Sequence, residues 1–183
     1  IKKSFEIKIA VVGLGYVGLP LFYQLSKKYD TIGFDIDENR VEELKRGFDR
    51  TKEISEVELN TFKSLKVFSD QKILEKVNVF IITVPTPVDA KNNPLLFPII
   101  SASELVGSFL KEGDVVIYES TVYPGCTEEV CVPILEAKSG LSYNLQFSCG
   151  YSPERINPGD KEHTITKIKK VTSGSNPTTA SFV

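Results

Sequence analysis

The stretch IAVVGLGYVGLP, residues 9–20, decides how the rest of the chain is read. An apolar run ends at Gly13, and further glycines stand at Gly15 and Gly18. The spacing G-x-G-x-x-G is a weak signal by itself, because glycine is common. Its context gives it weight: a β-prone run, EIKIAVVG, precedes it, a helical pattern follows, and an acidic residue ends the next strand. From Ile7 to Asp35 is 29 residues, the length of one strand–helix–strand unit, and Asp35 lies 20 residues after Gly15. Gly13 permits a tight turn out of the strand, Gly15 lets the backbone approach a pyrophosphate, and Gly18 lets the helix pack closely. Free N–H groups at the helix start then meet the phosphate charge. Asp35 can accept hydrogen bonds from both ribose hydroxyls and repels a 2′-phosphate, which favours NAD over NADP. Arg40 counts slightly against that preference, since an arginine can receive a 2′-phosphate. Two other readings stand beside this one. One is a plain chain-reversing turn with Asp35 a solvated strand end; the other is a methyltransferase, whose glycine-rich turn is usually looser.

Working outward, GYVGLPLFYQLSKKY (15–29) reads as a helix with Lys27 and Lys28 in its last turn, where cations meet the negative helix end. TIGFDID (31–37) is a strand, and DENRVEELKRG (37–47) a helix capped by Asp37 and closed by Gly47. A helix is expected within 53–65, a short strand at 65–69 and a short helix from Asp70. VNVFIITV (77–84) is the strongest strand; a proline-rich loop, 85–95, follows it. Then come a helix over 97–113 stopped by Gly113, a strand at 114–120, and a loop and helix over 121–140 ending at Gly140. The strand NLQFSCG (144–150), a polar loop (151–163) and one more strand near 168–174 complete the pattern. The end, GSNPTTASFV, shows no obvious final element and reads as a boundary inside a longer protein. Alternating strands and helices imply an α/β, Rossmann-type doubly wound fold, with a mostly parallel sheet and helices on both faces.

Composition narrows the function classes. The 183 residues suit one domain, taken here as a single dinucleotide-binding unit over 1–183. Charge is balanced at a net −2, with no basic excess for nucleic acid or a membrane surface. No apolar run approaches the ~20 residues a membrane span needs. The cysteines, Cys126, Cys131 and Cys149, are odd in number and not tightly spaced, so they suggest neither a disulfide framework nor a zinc site. A reducing cytoplasm is the expected home. The lone histidine, His163, makes a multi-histidine metal site a poor fit, and no metal is expected.

Ligands in such sheets bind beyond the carboxyl ends of the strands, where three loops fall. VPTPVD (84–89) is stiffened by Pro85 and Pro87, with Thr83 and Thr86 offering hydroxyls; it reads either as a wall for the adenosine side or as a purely structural wrap. ESTVYPGCT (119–127) brings Glu119, Ser120 and Thr121 directly off a buried strand, where hydroxyls and N–H groups hold a polarised oxygen or cap a helix. YSPERINPGDKEH (151–163) concentrates Glu154, Arg155, Asn157, Asp160, Lys161 and His163, a density that suits a sugar or phosphate substrate. Glu154 there is a candidate general base or water-positioning group. The cysteines read as packing, since free cysteine behaves as a small apolar residue.

GLGYVGLP (13–20), GFDID (33–37), VPTP (84–87), ESTVYPGCT (119–127) and SPERINPGD (152–160) together resemble the N-terminal domain of the UDP-glucose/GDP-mannose dehydrogenase family. The likeness covers nearly the whole chain, and ordinary dehydrogenases share only the first motif. The form SPER, with Arg155 after Glu154, is most similar to the branch acting on UDP-N-acetylglucosamine and UDP-N-acetylgalactosamine in bacterial capsule and O-antigen pathways. It is less similar to UDP-glucose dehydrogenases, which usually carry PEF. The resemblance implies NAD-dependent oxidation of a sugar C6 alcohol through an aldehyde to a carboxylate. It also implies an NAD site formed by Gly13, Gly15, Tyr16, Val17, Gly18, Asp35, Arg40, Thr86, Ser120 and Thr121. Thr121 and Glu154 are implied in catalysis, and Arg155 and Asn157 in holding the UDP-sugar.

The family's nucleophilic cysteine lies in a later, glycine-containing motif that Cys126, Cys131 and Cys149 do not match, and its lysine and asparagine lie on a linking helix. The expectation is an NAD-binding half that does not complete the oxidation alone. Family members usually dimerise through that linking helix, so a monomer is expected for this chain. A regulatory dinucleotide-sensing module is the competing reading; it has no need of the 119–127 and 152–160 loops.

Overall fold

Apolar runs that alternate between two buried faces form the sheet. In the computed structural model, which describes residues 6–61, 65–154 and 168–183, Lys8–Val12 is β1. Its Ile9 and Val11 face one side of the sheet, and Ala10 and Val12 the other. Around it stand β2 (Asp30–Phe34), β3 (Val67–Phe68), β4 (Val79–Ile82), β5 (Val115–Tyr118), β6 (Ser148–Tyr151) and β7 (Ser173–Gly174). The spatial order is β3-β2-β1-β4-β5-β6-β7. β1 to β6 pair in parallel and β7 antiparallel, with Val11 opposite both Gly33 and Ile81. The chain builds outward from β1 to β3 and then crosses back to β4 on the other flank of β1. That reversal opens a crevice at the carboxyl ends of β1 and β4, the place where open α/β sheets take ligands.

Each face is sealed by its own helices. Leu19 and Phe22 of α1 (Gly18–Leu25), Val41 and Leu44 of α2 (Glu38–Lys45) and Leu59 of α3 (Glu56–Asn60) pack with Ile9, Val11, Val79 and Ile81. Ile99 and Val106 of α4 (Phe97–Gly107), with Val132 and Leu135 of α5 (Val132–Ser139), cover Val12, Phe80, Ile82 and Val116. Cys126, Cys131 and Cys149 belong to this second cluster, free and buried. Burial pushes the Cys131 thiol up to about 12 and holds Cys126 and Cys149 above their ordinary value. They are packing groups, as a thiol without a thiolate is a poor nucleophile. Among the described residues no helix is long and apolar enough to cross a membrane.

Local signals placed most boundaries. Asp37 accepts from the Asn39 N–H at 3.0 Å, and Asp70 caps a 3₁₀ turn, Gln71–Lys76, through Lys72. Ser55 and Glu58 close a reciprocal capping box on α3. Gly140 ends α5 in the left-handed region. Four expectations are corrected. α1 stops at Leu25 with Ser26 as its cap, so Lys27 and Lys28 lie beyond the helix; Lys27 instead sits 3.9 Å from the centroid of the Tyr23 ring. α4 stops short of Gly113, at Gly107, and at Gly107 the chain packs so tightly on α5 that a Cβ would come within 2.8 Å of the Lys138 Cβ. The polar end is helical: α6 (Pro177–Phe182) starts on Asn176, whose side-chain Oδ1 accepts from the Thr179 N–H at 2.9 Å, with Pro177 pre-set for the first turn. The helix over 121–140 is also divided, with a π-helical turn, Thr127–Cys131, ahead of α5.

Asp114 at the entry to β5 is buried, and its carboxylate accepts from the Lys111 N–H at 2.8 Å. Burial pushes its carboxyl up to about 6, above an ordinary 3.8, against the pull of the Lys111 bond. The folded state therefore holds this proton more tightly than the unfolded chain does. The stability this supplies is complete below about pH 3.8 and lost as the pH rises through about 6. Thermal unfolding of Asp114→Asn and the parent should show the difference moving in favour of Asn by on the order of 1–3 kcal/mol between pH 4 and 7.5. A gap that stays constant with pH would show that Asp114 does not carry this linkage.

Candidate functional site

A cleft of about 590 Å³ opens where β1, β4 and β5 end. Its walls include Gly13, Gly15, Tyr16, Val17 and Asp35 from the first half of the sheet. Thr83, Thr86, Glu119, Ser120, Thr121 and Glu154 come from the second half. Phe97, Pro98, Ser101, Ala102 and Leu105 of α4 add an apolar wall. Gly18 and Arg40 do not line it.

The glycine turn is shaped by close approach. Gly13 has φ +96°, a conformation that L side chains rarely adopt. A Cβ at Gly18 would collide with the Gly13 carbonyl and the Thr83 hydroxyl, so Gly18 packs against the turn itself and the end of β4. Thr83 reinforces that junction: its Oγ1 donates to Gly13 O at 2.7 Å and lies 3.0 Å from Val12 O. Gly15 differs, because a Cβ there would meet nothing within 4 Å. The turn therefore leaves room at Gly15, as a dinucleotide pyrophosphate requires.

Asp35 sits one residue past β2 and lines the cleft. Its Oδ2 accepts from the Leu14 N–H at 2.7 Å and its Oδ1 from the Asp37 N–H at 2.9 Å. Each oxygen keeps a second lone pair for a ribose hydroxyl. Arg40, 3% exposed, is turned inward: its Nε donates to Leu14 O at 2.8 Å and its Nη2 to Asp49 Oδ1 at 2.7 Å. Its Nη1 lies 3.8 Å from the Glu43 carboxylate. The guanidinium that could have received a 2′-phosphate is thus engaged with the protein.

The loops of the second half are latched together. Thr86 Oγ1 donates to Thr121 O at 2.6 Å, and Ser120 Oγ donates to Val84 O at 2.7 Å. Those hydroxyls hold the 84–89 and 119–121 segments in register. Thr121 is exposed on the cleft. The 85–95 loop folds back on itself through a Val88–Pro94 bridge and Asp89, which accepts from the Lys91 and Asn93 N–H groups at 2.7 and 2.9 Å.

Glu119 follows β5 and Glu154 follows β6. These strands pair in parallel, and the Ser152 N–H donates to Tyr118 O at 3.0 Å, so both carboxylates come to one side of the cleft. Glu119 is buried and paired with Lys170. Burial pushes its carboxyl up; Lys170 pulls it down, and Glu154 adds to the rise. Lys170, on the segment entering β7, escaped the sequence reading because nothing local links it to a loop far behind it in the chain. The α4 wall escaped because helix periodicity marks Ala102 and Leu105 only as apolar. Arg155, Asn157, Asp160, Lys161 and His163 lie outside the described residues.

The model of the UDP-glucose/GDP-mannose dehydrogenase family, NAD binding domain, matches residues 7–183. The chain is similar to the UDP-N-acetyl-D-glucosamine 6-dehydrogenases of Pseudomonas aeruginosa, at 56% identity, and Salmonella typhi, at 53%. Both alignments run over 178 residues and cover 97% of this chain but 42% of those proteins. Among solved structures, the UDP-D-ManNAc dehydrogenase of Pyrococcus horikoshii superposes with a TM-score of 0.84 at 32% identity, over 96% of this chain and 43% of that one. The chain spans less than half the length of these relatives.

The two later glycines should separate fold from ligand. Gly15→Ala should leave the melting temperature within about 1 °C of the parent, while calorimetric NAD affinity falls more than about tenfold. Gly18→Ala should instead destabilise the fold by about 1–3 kcal/mol through overpacking. A Gly15→Ala chain that binds NAD normally would show that the turn is not the pyrophosphate cradle.

Proposed function

The chain belongs to the UDP-glucose/GDP-mannose dehydrogenase family, and from that premise we propose that it is the NAD-binding half of an enzyme oxidising the C6 alcohol of a UDP-N-acetylhexosamine to the uronic acid. One observation carries the reading. The cleft lined by the glycine turn and Asp35 is also lined by Thr121 and Glu154. A binding module would need only the first wall. The kinship to UDP-N-acetyl-D-glucosamine 6-dehydrogenases and the residues SPER at 152–155 support an N-acetylated sugar as substrate.

Bound NAD supplies the hydride acceptor. The Gly13–Gly18 turn, with its unpaired helix N–H groups, binds the pyrophosphate. Asp35 accepts from the ribose hydroxyls and disfavours a 2′-phosphate, and the inward-turned Arg40 removes the group that would have offset that preference. Glu154 takes a proton from the reacting hydroxyl or positions a water, and the Thr121 hydroxyl holds that water or the developing oxyanion. Ser120 and Thr86 keep Thr121 in place through the loop latches. Arg155 and Asn157 hold the UDP-sugar. The aldehyde-to-acid step uses a thiol in this family, and the buried Cys126, Cys131 and Cys149 do not provide it.

The first hydride transfer also calls on the lysine and asparagine that the family resemblance places on a linking helix, so the 183-residue chain should bind NAD in a titration yet yield no NADH when a UDP-N-acetylhexosamine is added. Sustained NADH formation would refute the division of labour. In the full-length enzyme, Glu154→Gln should lower kcat by about 10²–10⁴-fold. Unchanged turnover would remove Glu154 from the chemistry.

A further inference from the structure

We propose that Asp49 is a positioning residue for the dinucleotide site, acting through Arg40 on the peptide that joins Leu14 to Gly15. Asp49 lies far from the cleft in sequence and carries no motif of its own. Its buried carboxylate collects donors from its own loop and from α2. Oδ1 accepts from Arg40 Nη2 at 2.7 Å, Thr51 Oγ1 at 2.7 Å and the Thr51 N–H at 3.0 Å. Oδ2 accepts from the Glu53 and Ile54 N–H groups at 2.9 and 3.0 Å. Burial alone would raise this carboxyl, but the bonds from Thr51, Ile54 and Arg40 hold it below its ordinary value.

The pair is almost wholly desolvated, at 4% and 1% side-chain exposure. A buried ion pair is weak evidence for stability, since apolar residues of similar volume often serve as well. What the charged pair adds here is direction. The guanidinium is planar and rigid, so fixing Nη2 on Asp49 fixes where Nε points. Nε points at Leu14 O, 2.8 Å away. The peptide is trans, so the Gly15 N–H is turned away from the buried guanidinium. Gly15 is a cleft residue, with open space where its Cβ would be. The preceding peptide is held separately, because the Leu14 N–H donates to Asp35 Oδ2. The two peptide planes flanking Leu14 are therefore each pinned by a charged side chain. Asp35 acts directly, and Asp49 acts one residue removed. A turn pinned in this way does not have to order itself when the ligand arrives, which lowers the cost of binding.

The test is calorimetric titration with NAD, at a temperature where circular dichroism shows every variant folded. Asp49→Asn should bind NAD about tenfold more weakly or worse. Arg40→Lys keeps a cation opposite Asp49 but loses the planar fork, and should show a comparable loss. The double variant should be no weaker than the weaker single, because both break one chain of contacts. Thr51→Val, a milder change that removes one donor from Asp49, should cost about threefold. In the NAD-free protein, the amide resonances of Gly15 and Tyr16 should shift in Asp49→Asn while those of Val79–Ile82 stay in place; a purely structural role would not single out the turn. Parental affinity in folded Asp49→Asn, or losses that multiply in the double variant, would overturn the proposal. If Asp49→Asn does not fold, parental affinity in Thr51→Val overturns it.

Discussion

The contact between the Gly13 turn and the end of β4 is the constraint on which the site depends. Gly18 can begin a helix directly against the Gly13 carbonyl only because it has no Cβ. Thr83, one residue past β4, closes the same junction with its hydroxyl on Gly13 O. That junction spans the point where the strand order reverses, so the two halves of the sheet are hydrogen-bonded to each other there. The crevice opens beyond it and is lined by both the glycine turn and the segments that follow β4 and β5.

From that junction the architecture uses polar side chains mainly to orient backbone. Thr86 and Ser120 are bound to carbonyls of the opposing loop, and Arg40 is bound to Leu14 O. In each case a side-chain hydrogen bond to a main-chain carbonyl fixes a peptide plane of a loop beside the cleft. Asp35 does both tasks, holding the Leu14 and Asp37 N–H groups while it lines the cavity. Glu119 carries a different burden. It is a buried carboxylate beside a second one, kept tolerable by Lys170 from across the sheet. Glu119 and Glu154 thus place two acids on one side of the cleft, with Lys170 paired to Glu119.

Much of this was readable residue by residue. The alternation of Ile9 and Val11 with Ala10 and Val12 announces a strand buried on both faces, and the structure divides them between two cores. Asp37, Asp70 and Gly140 declared their caps because capping is a contact within one turn of chain. Errors fell where a boundary depends on packing elsewhere. Gly107, the last residue of α4, lies hard against α5, and the later Gly113, which looked like the stop, serves the turn into β5. α6 was overlooked because its sequence is polar, although Asn176 and Pro177 spell a helix start.

The sequence by itself determined the class of fold, the glycine turn with Asp35 after it, and which loops stand at the carboxyl ends of the strands. These follow from short-range rules: period, capping, and the steric freedom of glycine. Tertiary structure decided what each polar side chain in those loops does. Arg40 is bonded to Leu14 and Asp49, Ser120 and Thr86 latch two loops together while they line the cleft, and Asp49 and Lys170 carry no local signal at all. The reason is that a hydrogen-bonding side chain has one nearest partner, and that partner is chosen by distance in space. Arg40 meets Leu14 across 26 positions and Lys170 meets Glu119 across 51, separations over which no periodicity carries information.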